Sequence, residues 1–314
     1  MTNTNKKNKN TRKLLGAIGM LSVSAAMLVS STFAWFSLNR KVTAQTMSIS
    51  AKSADPFLKI SANGTNFYTA LDATADTSTD TGAWAIQTQA TINGQAAADA
   101  KLKLIAPATI GATPTWVWNQ SSDPGDPNTQ NVSTGTGNKA VTLTEVAANK
   151  NSDRSAIMTG TVADETLEDA FVLKQTLTFK NIAQDSAGTN LKIDKVTFTK
   201  DAATISDPRE SDFYKAARIL VVNTDGKYAL YKFATDGAAG TLITAENGAS
   251  GEQMTGAGKN IIAPTLAANA ETSITIYMYF DGNAAEAYTN NAFDLKGVHA
   301  SFQFSIDSET ATTP

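Results

Sequence analysis

Short runs in which apolar and polar side chains alternate recur along this chain, and they restrict it to β structure. Phe171 to Lys180 (FVLKQTLTFK) sets Phe171, Leu173, Leu177 and Phe179 on one side, with Lys174, Thr176, Thr178 and Lys180 on the other. Thr272 to Phe280 aligns Ile274, Ile276, Met278 and Phe280; Gly297 to Ile306 aligns Val298, Ala300, Phe302, Phe304 and Ile306. Successive side chains of a strand point to opposite faces, so a period of two marks a strand with one buried side. Such runs predict about ten to twelve strands at short spacing, with no βαβ alternation. The fold class expected is all-β, a jelly-roll-like β-sandwich with decorated loops and few short helices.

Turn residues punctuate these runs. Pro56 to Tyr68 reads as a hairpin around Asn63-Gly64, and Arg218 to Phe233 as a hairpin around Asp225-Gly226, since both dipeptides favour tight turns. Ala83 to Ile92, Lys101 to Ile105 and Val141 to Val146 are further strand candidates. Leu191 to Thr199 is expected beside the Phe171–Lys180 strand, across a turn at Ser186 to Asn190. Ala163 to Ala170 (ADETLEDA) predicts a short helix with acids at its N-terminal end, and Ser211 to Ala217 a helical turn. Leu71 to Gly82, Pro107 to Asn138 and Ala238 to Asn260 read as loops, the second holding a short strand at Thr115 to Asn119 (TWVWN).

The N-terminus has a different organisation. Lys6, Lys7, Lys9, Arg12 and Lys13 form a basic patch, Leu14 to Val29 is an apolar run, and Ser30 to Ala34 is a small-residue exit. That sequence of features is a secretory signal peptide, cut after Ala34 with Trp35 as the new first residue. The alternative is an uncleaved anchor, for which Leu14 to Phe36 is long enough. Beyond the cut, Phe36, Leu38, Val42 and Ala44 share one parity, interrupted by Arg40, whereas Met47, Ile49 and Ala51 share the other. A parity change means a bulge or a break. The expected division is residues 1–34 as signal, 35–46 as an arm able to act as a donor strand, and 47–314 as a single β-sandwich domain.

The stretch Ser31-Thr32-Phe33-Ala34-Trp35-Phe36, followed by Met47-Ser48-Ile49-Ser50, resembles the signal exit and first strand of the TasA/camelysin family. Ile274 to Ser305, with Asp281-Gly282 after a strand, is a weaker likeness to the closing strands of such proteins. The resemblance implies a secreted protein of a Gram-positive bacterium, processed by a dedicated ER-type signal peptidase. It also implies jelly-roll subunits joined by donor-strand complementation into biofilm-matrix fibres. The partners expected are therefore other copies of the chain, head to tail, the signal peptidase, and an accessory anchoring or nucleating protein. Independently of the resemblance, an extended arm with alternating apolar side chains can add a strand to another copy's sheet edge. Trp35, Phe36, Leu38, Val42 and Ala44 would then be the donor-strand contacts.

Charge and chemistry narrow the alternatives. All 29 acidic residues follow Ala34, as do 21 of the 26 basic ones, a net of −8 for the mature chain. Nucleic acid is therefore not an expected partner. There is no cysteine, so the sandwich must be held by its core. The one histidine, His299, lies on the parity opposite Val298 and Ala300 and reads as a solvent-facing strand residue. A lone histidine does not supply the two that a zinc protease helix requires, so the metalloprotease activity ascribed to camelysin finds no support here. Asp123, Asp126 and Asn128 lack the regular spacing of a calcium loop. No cofactor and no catalytic activity are expected. Two other readings stay open: a monomeric surface adhesin or carbohydrate-binding module using Trp116, Trp118, Tyr277 and Tyr279, and a secreted hydrolase using an acid pair. For those aromatics, packing beneath a covering layer is the favoured reading.

Overall fold

The computed structural model describes residues 46–55, 57–72, 75–83, 104–119, 138–145, 154–162, 165–184, 186–200, 212–243, 249–284 and 297–308. In chain order the strands are β1 (Thr46–Ser53), β2 (Leu58–Ser61), β3 (Ala70–Asp72), β4 (Thr81–Ala83), β5 (Leu104–Thr109) and β6 (Thr115–Asn119). Then come β7 (Asn138–Glu145), β8 (Ser155–Val162), β9 (Glu165–Asn181) and β10 (Gly188–Lys200). A 3-10 turn (Asp212–Ala216) precedes β11 (Ala217–Asn223), β12 (Tyr228–Lys232) and β13 (Thr241–Ile243). β14 (Ile261–Leu266), β15 (Glu271–Asp281) and β16 (Gly297–Ser308) complete the series. The 3-10 turn falls where a helical turn is expected, and the chain forms the all-β sandwich that its alternation predicts.

One sheet runs β14-β10-β16-β1-β3-β4, and the other β13-β12-β11-β15-β5-β6-β7-β8-β9-β2. Because β15 also pairs with β9, the strands β15-β5-β6-β7-β8-β9 close into a barrel-like ring. The two sheets face each other across the main core. Ile49, Phe198, Phe302 and Phe304 come from the first sheet; Phe179, Ile219, Ile276 and Phe280 come from the second. The alternations in β15 and β16 are those read from the sequence: all four β15 residues and all five β16 residues point into this core.

The opposite face of β11, β12 and β15 is buried as well. Leu220, Val222, Tyr228, Leu230, Tyr277 and Tyr279 form a second core with Ile105, Trp116, Val141, Phe171 and Val172. Residues of β5 to β7 thus lie as a third layer on the sandwich. This accounts for β11, whose seven residues ARILVVN are all buried: a strand covered on both faces has no polar side.

Several expectations are corrected. Ala163–Ala170 is not a helix, because β9 begins at Glu165, with Val162 opposite Glu165 and Thr161 opposite Thr166 in a hairpin with β8. Cross-strand pairing outweighs a modest helical preference. Phe171 does not share a face with Leu173. The register shifts beside it, from Met158↔Val172 to Thr159↔Ala170, and such a bulge turns Phe171 into the second core. β10 is not the neighbour of β9 but crosses to the other sheet, between β14 and β16. Leu71–Gly82 contains β3 and β4 in addition to its turn, and the glycine-rich stretch after Ala238 contains β13. The Asn63-Gly64 turn forms, with Gly64 at φ 72°, but its return is the single bridge Ile60↔Tyr68. Of the strand expected from Ala83 to Ile92, all but Ala83 lies outside the described residues.

Candidate functional site

β1 is the strand into which the expected N-terminal arm would lead, and its position follows from its sequence. Ile49 and Ala51 are buried while Lys52 is exposed, so the strand is fixed by one apolar face. It lies mid-sheet, parallel to β16 from Thr46↔Gly297 to Ser53↔Phe304 and antiparallel to β3. The proposed cleavage residues Ala34 and Trp35 lie outside the described residues. So do the donor-strand candidates Trp35, Phe36, Leu38, Val42 and Ala44. Asp123, Asp126 and Asn128 also fall there.

The register defines two poles. Thr46 stands level with Gly297, one residue from the Val298↔Lys200 pair. At this arm pole the Lys200 Nζ sits 4.5 Å over the Tyr214 ring, and Tyr214 packs edge-on against Phe233 at 4.7 Å. Arg218 and Asp281 pair inside the body, Nη2 to Oδ2 at 3.2 Å, both side chains buried. The Arg218 Nη1 also donates to the carbonyls of Lys215 and Ala217, and the backbone N–H of Asn283 donates to Asp281 Oδ1.

The far pole holds Ser53, Phe304 and the start of β10. There the Ala54 N–H donates to Phe304 O, and the chain crosses to the second sheet as β2. Phe57 and Ile182 are the exposed large hydrophobics among the described residues, 50% and 39% accessible. The Ile182 N–H donates to Phe57 O at 2.8 Å, so the two are cross-strand neighbours. Phe57 and Lys59 share the parity opposite the buried Leu58 and Ile60. Sequence reasoning missed this pair; the signal was present in FLKI, where both parities are apolar at one end.

The edge strands are each short, interrupted or partly occupied along their backbone. β14 contains Pro264, which has no N–H to donate. Its Ile262 and Leu266 carbonyls accept from Asn223 Nδ2 at 2.9 Å and Asn181 Nδ2 at 3.1 Å. On β2, Ile60 exchanges both backbone bonds with Tyr68, and the Leu58 N–H donates to Asp55 O. On β4, Thr81 bonds Asp76 in both directions. β13 is three residues long.

The aromatic stripes are internal. Trp116 is 3% exposed, with its ring 4.8 Å from Tyr279 and 6.1 Å from Tyr277. Burial, and then the charge of Glu145, push the Tyr277 phenol up to about 12. Trp118 is half-buried against the same core. Covering by the third layer is what places them there. His299 lies half-buried in β16, facing Ser48 of β1 and Thr199 of β10, while Val298 and Ala300 are buried. Among the described residues no three His, Asp or Glu side chains gather as a metal would require. No helix among them is long and apolar enough to cross a membrane. Comparison with protein-family models, with curated proteins and with solved structures found no match to this chain.

Proposed function

We propose that this chain is a secreted, non-enzymatic structural protein whose subunits join head to tail into extracellular fibres through the freed arm, Trp35 to Ala44. The observation that carries the reading is the placement of β1. The arm's root is held on both sides, by β16 along its whole length and by β3 at Ala51 and Lys52. A segment joined to such a strand is tied firmly to its own body while its apolar side chains seek a partner elsewhere. A contact between one copy's arm and another's body is heterologous and does not close on itself, which makes a filament. The N-terminal likeness to the TasA/camelysin family supports the same reading, with signal cleavage as the step that frees the arm.

Negative-stain electron microscopy of the chain beginning at Trp35, beside one beginning at Met47, tests this. Filaments are expected from the first and none from the second. Dispersed monomers from both would overturn the reading.

A further inference from the structure

The body needs a seat for the arm, and its edges do not provide a long one. β14, β2 and β4 each have some of their backbone groups taken up as described above, and β13 is short. The exposed pair Phe57 and Ile182 is a different kind of surface. It lies past the end of β8, whose pairing with β9 stops at Ser155↔Gln175. Beyond that, β9 runs between β15 and β2. There Arg154 donates to Thr178 and the Gly64 N–H to Ser61, both acceptors buried. Among the described residues, large apolar side chains are exposed only past Lys59 and Lys180, at Phe57 and Ile182. That end, with Phe57 and Ile182, is the ledge. Lys59 and Lys180 stand next to them, already paired with Asp80 and Glu271, so the apolar end carries no unbalanced charge.

We propose that this ledge receives the aromatic tip of another copy's arm, Trp35-Phe36, seated on Phe57 and Ile182. The proposal rests on the fibre reading and names its acceptor. The occupant follows from where the undescribed chain begins. Thr46 is at the arm pole, and the ledge is at the other end of a strand about 25 Å long. Residues 35–45 extended reach about 37 Å. An arm that continued the direction of β1 would lead away from its own body and would carry Trp35 to the far pole of the next. To reach its own ledge it would have to reverse and run back over the full height of the sandwich. Arm and ledge at opposite poles form a head-to-tail pair that repeats without closing. An exposed aromatic beside an aliphatic gives the large apolar contact that an aromatic anchor needs at an interface.

The experiment pairs two variants of the chain beginning at Trp35, a ledge variant (Phe57→Ser, Ile182→Ser) and a tip variant (Trp35→Ser, Phe36→Ser). Sedimentation velocity and electron microscopy follow each alone and the two mixed. The mutated ledge side chains are exposed, and circular dichroism checks that both variants stay folded. We expect filaments from the parent, monomers from either variant alone, and one-to-one dimers from the mixture, because only one arm meets one intact ledge. Filaments from the ledge variant would overturn the ledge while leaving the fibre reading standing. Monomeric variants that fail to dimerise when mixed would show ledge meeting some other surface, and overturn the arm as its occupant. A monomeric parent would remove the fibre reading itself.

Discussion

The buried pair Arg218–Asp281 offers the most demanding test of the fold's energetics. It joins the start of β11 to the end of β15, and both side chains are nearly inaccessible, at 7% and 2%. Changing Asp281→Ala removes the carboxylate but leaves the guanidinium buried, still held by the Lys215 and Ala217 carbonyls. Arg218 Nη2 and the Asn283 N–H then lose a charged partner. Breaking a buried pair from one side costs about 3–5 kcal/mol, because the desolvated charge is left behind. At about 2–4 °C per kcal/mol for a domain of this size, the thermal midpoint should fall by about 10 °C. Arg218→Met should cost a comparable amount. The double variant Arg218→Met, Asp281→Leu should recover more than half of either loss, since neither charge then remains. Urea denaturation of all four proteins gives the coupling energy directly. Single costs below about 1 kcal/mol, the range of solvent-exposed pairs, would refute the reasoning; so would simple additivity in the double variant.

Three further outcomes are expected. Trp116→Ala should destabilise by about 3–5 kcal/mol, as removal of a buried aromatic does, seen as a lower urea midpoint; an unchanged midpoint would mean that the third layer does not pack on Tyr277 and Tyr279. Asn181→Ala removes bonds to the Ser186 and Leu266 carbonyls and to the Ala183 N–H and should cost about 2 kcal/mol, with faster amide exchange along β14. Asp307 is held below the usual carboxylate range, first by the Lys192 ammonium bonded to it and then by the Asn190 amide. A depressed carboxyl stabilises above its unfolded pKa, and that contribution is lost as pH falls through the folded value. Stability should therefore decline below pH about 4, and Asp307→Asn should flatten that slope in acid titrations followed by fluorescence.

How far the sequence could be read depended on whether a signal was local. The Asp225-Gly226 hairpin and the faces of β15 and β16 were legible because turn geometry and period-two burial are written within a few residues. Sheet membership was not. Leu191 to Thr199 states which side chains go inward but not which strand lies alongside, and the chain crosses between sheets after Asn181. The acidic run ETLEDA has the composition of a helix start, and only its pairing with β8 makes it strand. The second parity of β15 could not be assigned either: Tyr277 and Tyr279 are an exposed stripe or a core depending on whether a distant segment covers them, and Trp116 does. For the candidate site, the alternation of Ile49 and Ala51 fixed the buried face of β1. The exposure of Phe57 depends on what lies across β2 and β9, which no local pattern records.

The pairing of β1 with β16 also sets an order of events. Ile49 and Ala300 are adjacent in the sheet yet stand almost at the two ends of the chain, and contacts of such sequence separation are slow to form. During synthesis β1 emerges first and waits for nearly everything else before its longest partner exists. β1 is thus among the last strands to find its place, and a chain cut short of β16 would leave it without its main support. Completion of the chain and anchoring of β1 are one step.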